Sequence, residues 1–269
     1  MRVLVDFTKM NGAGNDFVMI DNLEMGLQLT PEQIQKICHR QRGIGADGVL
    51  LLRLAKGDAD LGWDFFNQDG SVGEMCGNGA RCFARFAQRH LDGRKSLSFE
   101  TLAGVIEASV DGESVTVGLT PPQDFRIGDR IGTSSGELEI HSVNTGVPHA
   151  VLFVEDTDKA MVSELGHEIR HHDHYSPAGT NVNFVQCTGD DSIRVRTYER
   201  GVGETLACGT GVSAAALVTA RLHGCGSPVR VRVLGGDDLG VAFESDGDSF
   251  ANVQLTGPAE FVFSGQIEL

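Results

Sequence analysis

The chain has 269 residues, enough for two modest domains or one large one. Hydrophobic residues make up 41% and charged residues 22%, which are ordinary globular values and argue against a disordered, collagen-like or membrane-embedded chain. The formal net charge of −15 argues against binding to nucleic acid or to an anionic membrane surface. Because residues 1–20 contain no uninterrupted apolar segment, we expect a cytoplasmic protein whose six cysteines are free thiols.

The predicted elements are mostly strands with a few helices. A cap residue, a proline and a capping-box glutamine predict a helix that starts after Thr30, runs toward Arg40 and stops before Gly43. Continuous or alternating apolar runs predict strands at residues 17–20, 48–52, 115–117, 150–154 and 229–233.

The most informative feature is a repeat within the chain. A shift of 132 positions (208 − 76) places residues 76–79 (Cys-Gly-Asn-Gly) on residues 208–211 (Cys-Gly-Thr-Gly). The same shift places residues 14–18 on residues 146–150. Because two separate segments match at the same shift of 132 positions, we predict two related halves with pseudo-twofold symmetry.

Two helices are predicted just after the repeated cysteines. After Cys76, apolar residues recur at helical spacing, and the helix is expected to end near Gly93. After Cys208 the residues are small and apolar on every side of the predicted helix, which ends near Gly224. A helix of this kind is expected to lie inside its domain. Residues 120–122 (Thr-Pro-Pro) predict the boundary between the halves, and the apolar chain end is expected to add a strand.

A cysteine immediately before a helix has a characteristic chemistry. The unpartnered N–H groups and the positive end of the helix dipole favour a thiolate, and such settings lower a thiol pKa from about 8.5 toward neutrality. The neighbouring glycines let a carboxylate approach the same N–H groups. Two such elements in symmetric halves predict two sulfurs facing each other across a shared cleft. That is the arrangement of a two-base racemase, in which one group takes a proton and the other returns one to the opposite face.

The chain resembles the diaminopimelate epimerase family nearly from end to end. The resemblance rests on three motifs, residues 7–17 (FTKMNGAGNDF), 76–82 (CGNGARC) and 199–211 (ERGVGETLACGTG). It implies an α+β fold of two pseudo-symmetric domains, each a mostly antiparallel, β-barrel-like sheet wrapped around a central helix. We expect the domains at residues 1–120, completed by a strand at 257–269, and at residues 121–256.

The resemblance also implies an activity. Members of the family convert LL-2,6-diaminopimelate to its meso isomer without pyridoxal phosphate, so neither a cofactor nor a metal is expected. In that direction Cys208 would remove the α-proton and Cys76 would return one, while His149 and Glu199 fall on positions that tune the thiol pKa values. The implied partners are the small-molecule substrate and a second copy of the chain in a homodimer, with no nucleic acid or membrane, in lysine and peptidoglycan-precursor synthesis.

The implied substrate-binding positions fall into two groups. The reacting end of the substrate would lie at Gly77, Asn78, Gly209 and Thr210, and the distal amino acid at Asn15, Asn67, Asn181, Glu199 and Arg200. Two positions depart from the family pattern: Val147 replaces an asparagine and Gly48 a glutamine that contact the ligand in some members. Both are expected to contribute only shape or backbone.

Other functions stay open. A related amino acid racemase is one, although proline and hydroxyproline racemases typically carry a histidine where this chain has Asn78. A hydrolase that uses one activated cysteine with His149 for acyl transfer is a second, and an amino acid-binding protein without catalysis is a third.

The remaining cysteines and the histidine-rich segment have simpler expected roles. We expect small buried thiols rather than catalytic groups at Cys38, Cys82, Cys187 and Cys225. Residues 171–174 (His-His-Asp-His) are expected to form a solvated loop rather than a metal site.

Overall fold

The computed structural model describes residues 3–247 and 249–269. The chain divides into two compact units. The first unit comprises Met1–Val117 and Gly257–Leu269, and the second comprises Gly118–Thr256.

Strands dominate both units. The α-helices are α1 (Pro31–Cys38), α2 (Gly77–Ala87), α3 (Val162–Arg170) and α4 (Gly209–His223). The strands up to the unit boundary are β1 (Leu4–Gly12), β2 (Asn15–Asp21), β3 (Gly48–Arg53), β4 (Leu61–Asn67), β5 (Ser96–Thr101), β6 (Gly104–Asp111) and β7 (Ser114–Gly118). The others are β8 (Gln123–Thr133), β9 (Gly136–Asn144), β10 (Pro148–Phe153), β11 (Asn181–Gly189), β12 (Ser192–Glu199), β13 (Gly203–Thr205), β14 (Val229–Val233), β15 (Asp238–Asp246), β16 (Ser249–Pro258) and β17 (Glu260–Glu268).

The two units repeat one topology. In the first unit the strand order is β17-β1-β2-β3-β4-β5-β6-β7. In the second it is β8-β9-β10-β11-β12-β14-β15-β16, with β13 paired beside β12. Each order has two parallel pairs, and each such pair is joined through one helix, as parallel neighbours require. The other pairs in these two orders are antiparallel, so the predicted α+β class with mostly antiparallel sheets is confirmed.

The end of the chain completes the first unit. Strand β17 lies antiparallel to β1, in the place that β8 occupies beside β9 in the second unit. The predicted C-terminal strand is therefore present, and it supplies an element that the N-terminal half lacks.

One helix of each unit is enclosed by its sheet. The α4 side chains are buried on all faces from Val212 to Ala220 and contact β9, β10, β11, β12, β14 and β15, which confirms the prediction of an internal helix. In α2 every residue except Arg85 is buried. Because the opposite sheet faces are covered by α1 and α3, strands such as β2 and β10 are apolar on both sides.

The helix ends follow local chemistry. The capping box at Thr30 is formed as predicted, and α1 ends at Cys38. Helix α2 is shorter than predicted, because after Ala87 the chain tightens into a 3₁₀ turn at Gln88–His90, well before Gly93. No helix in the described ranges is long and apolar enough to cross a membrane.

Candidate active site

Cys76 is the N-cap residue of α2. Its sulfur accepts a hydrogen bond from the Gly79 N–H at 3.5 Å, and its thiol lies 3.6 Å from Asn15 Oδ1. The side chain is half-buried. The first-turn N–H groups of a helix have no intrahelical acceptor, so Cys76 stands where a negative charge is stabilised.

A partly buried charge network lies behind Asn15, with Lys9 buried and the Arg40 side chain exposed. The Asn15 Nδ2 group donates to Asp47 Oδ2 at 2.6 Å, and Arg40 binds Asp47 at 2.7 Å and both oxygens of Asp16 at 2.9 Å. Lys9 forms an ion pair with Asp16 at 2.7 Å. Burial raises the pKa of Asp16, but the hydrogen bonds from Arg40 and Lys9 outweigh it and bring that pKa down to about 2. Since Asp47 holds the Asn15 amide nitrogen, the Asn15 oxygen faces the thiol.

A buried arginine orients the next residue of the site. Asn78 is buried, and its Nδ2 group donates to Asn15 Oδ1 at 3.4 Å while its Oδ1 accepts from Arg81 Nη2 at 3.0 Å. Arg81 is fully buried and also donates to the Gly77 carbonyl at 3.4 Å and to the Pro258 carbonyl at 3.3 Å. The predicted residues Asn15, Cys76, Gly77 and Asn78 therefore form one cluster.

Asn67 lies at the end of β4, opposite Gly48 in β3. Its Nδ2 group donates to Ser71 Oγ at 3.1 Å. A Cβ at position 48 would lie 2.7 Å from the Phe66 carbonyl oxygen and 2.9 Å from Phe65 Cε2. A glutamine at this position would collide with the surrounding packing of this chain.

Cys208 is the N-cap residue of α4 and is buried. Its sulfur lies 3.5 Å from Thr210 Oγ1, which in turn lies 3.0 Å from His149 Nε2. Thr145 donates to the Thr210 carbonyl at 2.9 Å, so the first turn of α4 is fixed to the loop before β10. Three of the predicted site residues, His149, Thr210 and Cys208, are thus in one hydrogen-bonded row.

His149 is an uncharged imidazole near neutral pH. Burial, aided by the positive charge of Arg200, lowers the pKa of His149 to about 3. Any effect of His149 on Cys208 therefore acts through hydrogen bonding, not through the positive charge of an imidazolium.

The distal-end candidates of the second unit lie around the turn after β12. The Asn181 side chain accepts from the Arg200 backbone N–H at 2.8 Å, and the Arg200 guanidinium donates to the Ala178 carbonyl at 3.2 Å. Thr205 donates to Glu199 Oε1 at 2.6 Å. The Val147 carbonyl accepts from the Thr145 N–H at 3.3 Å, a backbone contribution that does not depend on its side chain.

Three supporting residues were missed by the sequence analysis. They are Asp47, which holds Asn15, Arg81, which holds Asn78, and Asn183, which contacts His149. No local pattern marks Arg81 or Asn183, because α2 also contains Asn78 and Arg85, and β11 also contains Asn181 and Gln186.

The other cysteines differ from Cys76 and Cys208. Cys38 and Cys82 are buried as predicted, and burial raises the pKa of each thiol to about 12. The prediction is wrong for Cys187, which is exposed because β11 leaves the core after Val185, and for Cys225, which is only half-buried. The described residues contain no group of three or more His, Cys, Asp and Glu side chains placed to hold a metal ion.

Known proteins resemble this chain over nearly its whole length. The family model described as diaminopimelate epimerase matches residues 7–124 and 141–262. The diaminopimelate epimerase of Aquifex aeolicus (strain VF5) is 45% identical over 98% of both chains. That of Chlorobaculum tepidum is 45% identical over 97% of this chain and 100% of the relative.

Solved structures show the fold. A hydroxyproline epimerase from Agrobacterium vitis has a TM-score of 0.75 at 20% identity and covers 100% of this chain and 94% of its own. A Bacillus anthracis phenazine biosynthesis protein of the PhzF family has a TM-score of 0.75 at 16% identity and covers 98% of this chain and 99% of its own. Together with the family match and the full-length relatives, these findings place the chain in the diaminopimelate epimerase family.

Proposed function

We propose that this protein is an isomerase that converts LL-2,6-diaminopimelate to meso-diaminopimelate by proton transfer between two cysteines. The observation that carries the proposal is that both units open their enclosed helix with a cysteine N-cap, at Cys76 and at Cys208. The family membership supplies the substrate. In the LL-to-meso direction Cys208 acts as base and Cys76 as acid, and the reverse reaction exchanges these roles.

The proton balance of this reaction is simple. The Cys208 thiolate takes the α-proton and becomes a thiol, and the electron pair of the broken C–H bond stays on the α-carbon. The Cys76 thiol then protonates the opposite face of that carbon and becomes a thiolate, so both sulfurs must reach the same carbon. The carbanion needs oriented dipoles at the adjacent carboxylate, and the first-turn N–H groups of α2 and α4 would supply them.

The distal amino acid of the substrate requires a second set of contacts. Arg200 would bind its carboxylate through two hydrogen bonds and Glu199 its ammonium group, with neutral contacts from Asn15, Asn67 and Asn181. Lysine keeps the distal ammonium group but lacks the distal carboxylate, so it would leave Arg200 without that partner, at a cost of about 1–3 kcal/mol. This predicts strong preference for diaminopimelate over lysine.

The remaining parts of the proposal concern cofactor, assembly and location. In this proposal the helix N–H groups at the carboxylate stabilise the carbanion in place of pyridoxal phosphate, and the two thiols serve as acid and base. We further propose a cytoplasmic homodimer that acts in lysine and peptidoglycan-precursor synthesis. Light scattering coupled to size-exclusion chromatography would test the dimer, and a monomer at assay concentration would contradict it.

The direct test is epimerisation of LL-diaminopimelate by the purified, reduced protein without pyridoxal phosphate, followed by chiral chromatography. We expect Cys76→Ala and Cys208→Ala each to lower turnover by about 1000-fold, the scale of lost acid–base catalysis. The matched controls Cys187→Ala and Cys225→Ala should keep wild-type turnover. If Cys76→Ala stayed active while Cys208→Ala did not, a single-cysteine acyl-transfer mechanism would replace this one; binding without α-proton exchange would indicate a binding protein.

A further inference from the structure

A buried amide lies behind the histidine of the second unit. Asn183 in β11 is fully buried, and its Nδ2 group lies 2.9 Å from the Ala150 carbonyl oxygen and 3.2 Å from His149 Nδ1. Its Oδ1 accepts a hydrogen bond from Thr197 Oγ1 at 2.9 Å. Every polar atom of this amide therefore has a partner inside the unit.

These partners fix which way the amide points. A flipped amide would place Oδ1 against the Ala150 carbonyl, and two acceptors would face each other in the core. With Nδ2 held there, its second proton points at His149 Nδ1. That ring nitrogen must then be the acceptor, and in a neutral imidazole the proton is left on Nε2.

We propose that Asn183 is a positioning residue that holds the ring proton of His149 on Nε2. The imidazole then donates to Thr210 Oγ1, 3.0 Å away. Because this oxygen accepts the imidazole proton, its own single proton is free to point at Cys208 Sγ, 3.5 Å away. The inference deepens the proposed function and rests on it for the role of Cys208.

A glycine in α4 adds an independent observation. A Cβ at position 211 would lie 2.4 Å from Asn183 Oδ1 and 3.4 Å from its Cγ. The first turn of α4 therefore lies so close to the Asn183 amide that only a glycine fits at position 211. This close approach keeps the amide, the imidazole and the N-cap sulfur in one rigid arrangement.

The hydrogen-bonded row of His149, Thr210 and Cys208 orients the Thr210 hydroxyl toward the sulfur and transfers no net proton. While Cys208 is a thiolate, the Thr210 hydroxyl donates to it and stabilises the charge. With the opposite His149 tautomer, Nε2 would accept the Thr210 proton and turn it away from the sulfur. Loss of one hydrogen bond to a charged group predicts a fall in kcat of about 10- to 100-fold.

The decisive measurement is the nitrogen-15 spectrum of the imidazoles in the free wild-type protein near pH 7.5. The His149 signal is identified among the nine histidines by its loss in His149→Gln. We expect a protonated Nε2 and an unprotonated Nδ1. A protonated Nδ1 in the wild-type protein would overturn the inference, and this result needs no activity assay.

Two variants and a control extend the test. Asn183→Leu should give a mixture of tautomers and a fall in kcat that matches the fraction of His149 without a proton on Nε2. Asn183→Asp should move the proton to Nδ1 and give the full fall in kcat of about 10- to 100-fold, and both variants should change KM little. The control Gln186→Leu removes another polar side chain of β11, one that accepts from Thr157, and should leave the His149 signals and kcat unchanged. An Asn183→Leu protein with wild-type tautomer and kcat would refute the role of Asn183. Absence of epimerisation in the wild-type protein would instead refute the proposed function.

Discussion

Two glycines at equivalent places in the repeat should differ in how far their replacement by alanine changes the stability of the protein. Gly79 and Gly211 are each three residues after the N-cap cysteine of their helix. A Cβ at Gly79 would meet two ring atoms of Phe17 at 3.4 Å, an ordinary contact. A Cβ at Gly211 would meet Asn183 Oδ1 at 2.4 Å, which is a collision.

The expected magnitudes follow from these distances. Alanine is a better helix residue than glycine by about 1 kcal/mol, so Gly79→Ala should stay within about 1 kcal/mol of the wild-type stability. In Gly211→Ala the amide of Asn183 has to move, which adds an overpacking cost of about 1–3 kcal/mol and leaves buried polar atoms unpaired at about 1–3 kcal/mol. After the helix-propensity gain of about 1 kcal/mol is subtracted, we expect Gly211→Ala to lower the free energy of unfolding by about 1–5 kcal/mol.

Urea denaturation followed by far-UV circular dichroism measures both variants. The single tryptophan, Trp63, lies in the first unit, so its fluorescence reports that unit separately. We expect Gly211→Ala to unfold at lower urea by circular dichroism, and Gly79→Ala to keep the wild-type midpoint by both probes. Equal stability of the two variants would refute the close approach between α4 and Asn183.

Two other predictions concern titration and thiol reactivity. Burial keeps His149 unprotonated down to about pH 3 in the folded protein, because its pKa falls from 6.5 to about 3. The unfolded chain therefore binds an extra proton below pH 6.5, and the free energy of unfolding should fall on acidification by up to about 5 kcal/mol. His149→Gln should flatten this slope in urea titrations between pH 6.5 and 4, and an unchanged slope would contradict the buried neutral imidazole. Iodoacetamide at pH 8 should label exposed Cys187 in the native protein and leave Cys38 and Cys82 unlabelled. Peptide mass mapping would measure the labelling of each cysteine. Labelling of Cys82 as fast as that of Cys187 would contradict the burial of Cys82.

The parts of the fold that sequence predicts are those with local causes. The capping box at Thr30 and the all-round apolar pattern of α4 are written in neighbouring residues, and both appear in the structure. Helix α3 was not predicted, since its N-cap, Met161, forms no side-chain cap hydrogen bond and gives no start signal. The end of α2 was predicted too late, because the apolar spacing continues to Leu91 through a turn that is no longer α-helical.

The site residues also divide into those that a local sequence pattern predicts and those that depend on tertiary contacts. The two cysteines follow from a motif repeated along the chain, and each caps the helix that the motif predicted. Asn183 could not be found in this way, because its contact with His149 depends on strand register. His149 in β10 lies opposite Asn181 in β11, and Asn183 is two residues further on the same face. No local pattern encodes that pairing.

The central claim is that two different thiols act on opposite faces of one α-carbon. It is tested most directly by incubating the wild-type protein with LL-diaminopimelate in D2O and stopping at low conversion. If Cys208 takes the proton and Cys76 returns one from solvent, the meso product carries deuterium at the inverted carbon while recovered LL-substrate carries almost none. A product that retains the original protium, or LL-substrate deuterated as fast as it is inverted, would show that one group both takes and returns the proton and would contradict the two-cysteine account.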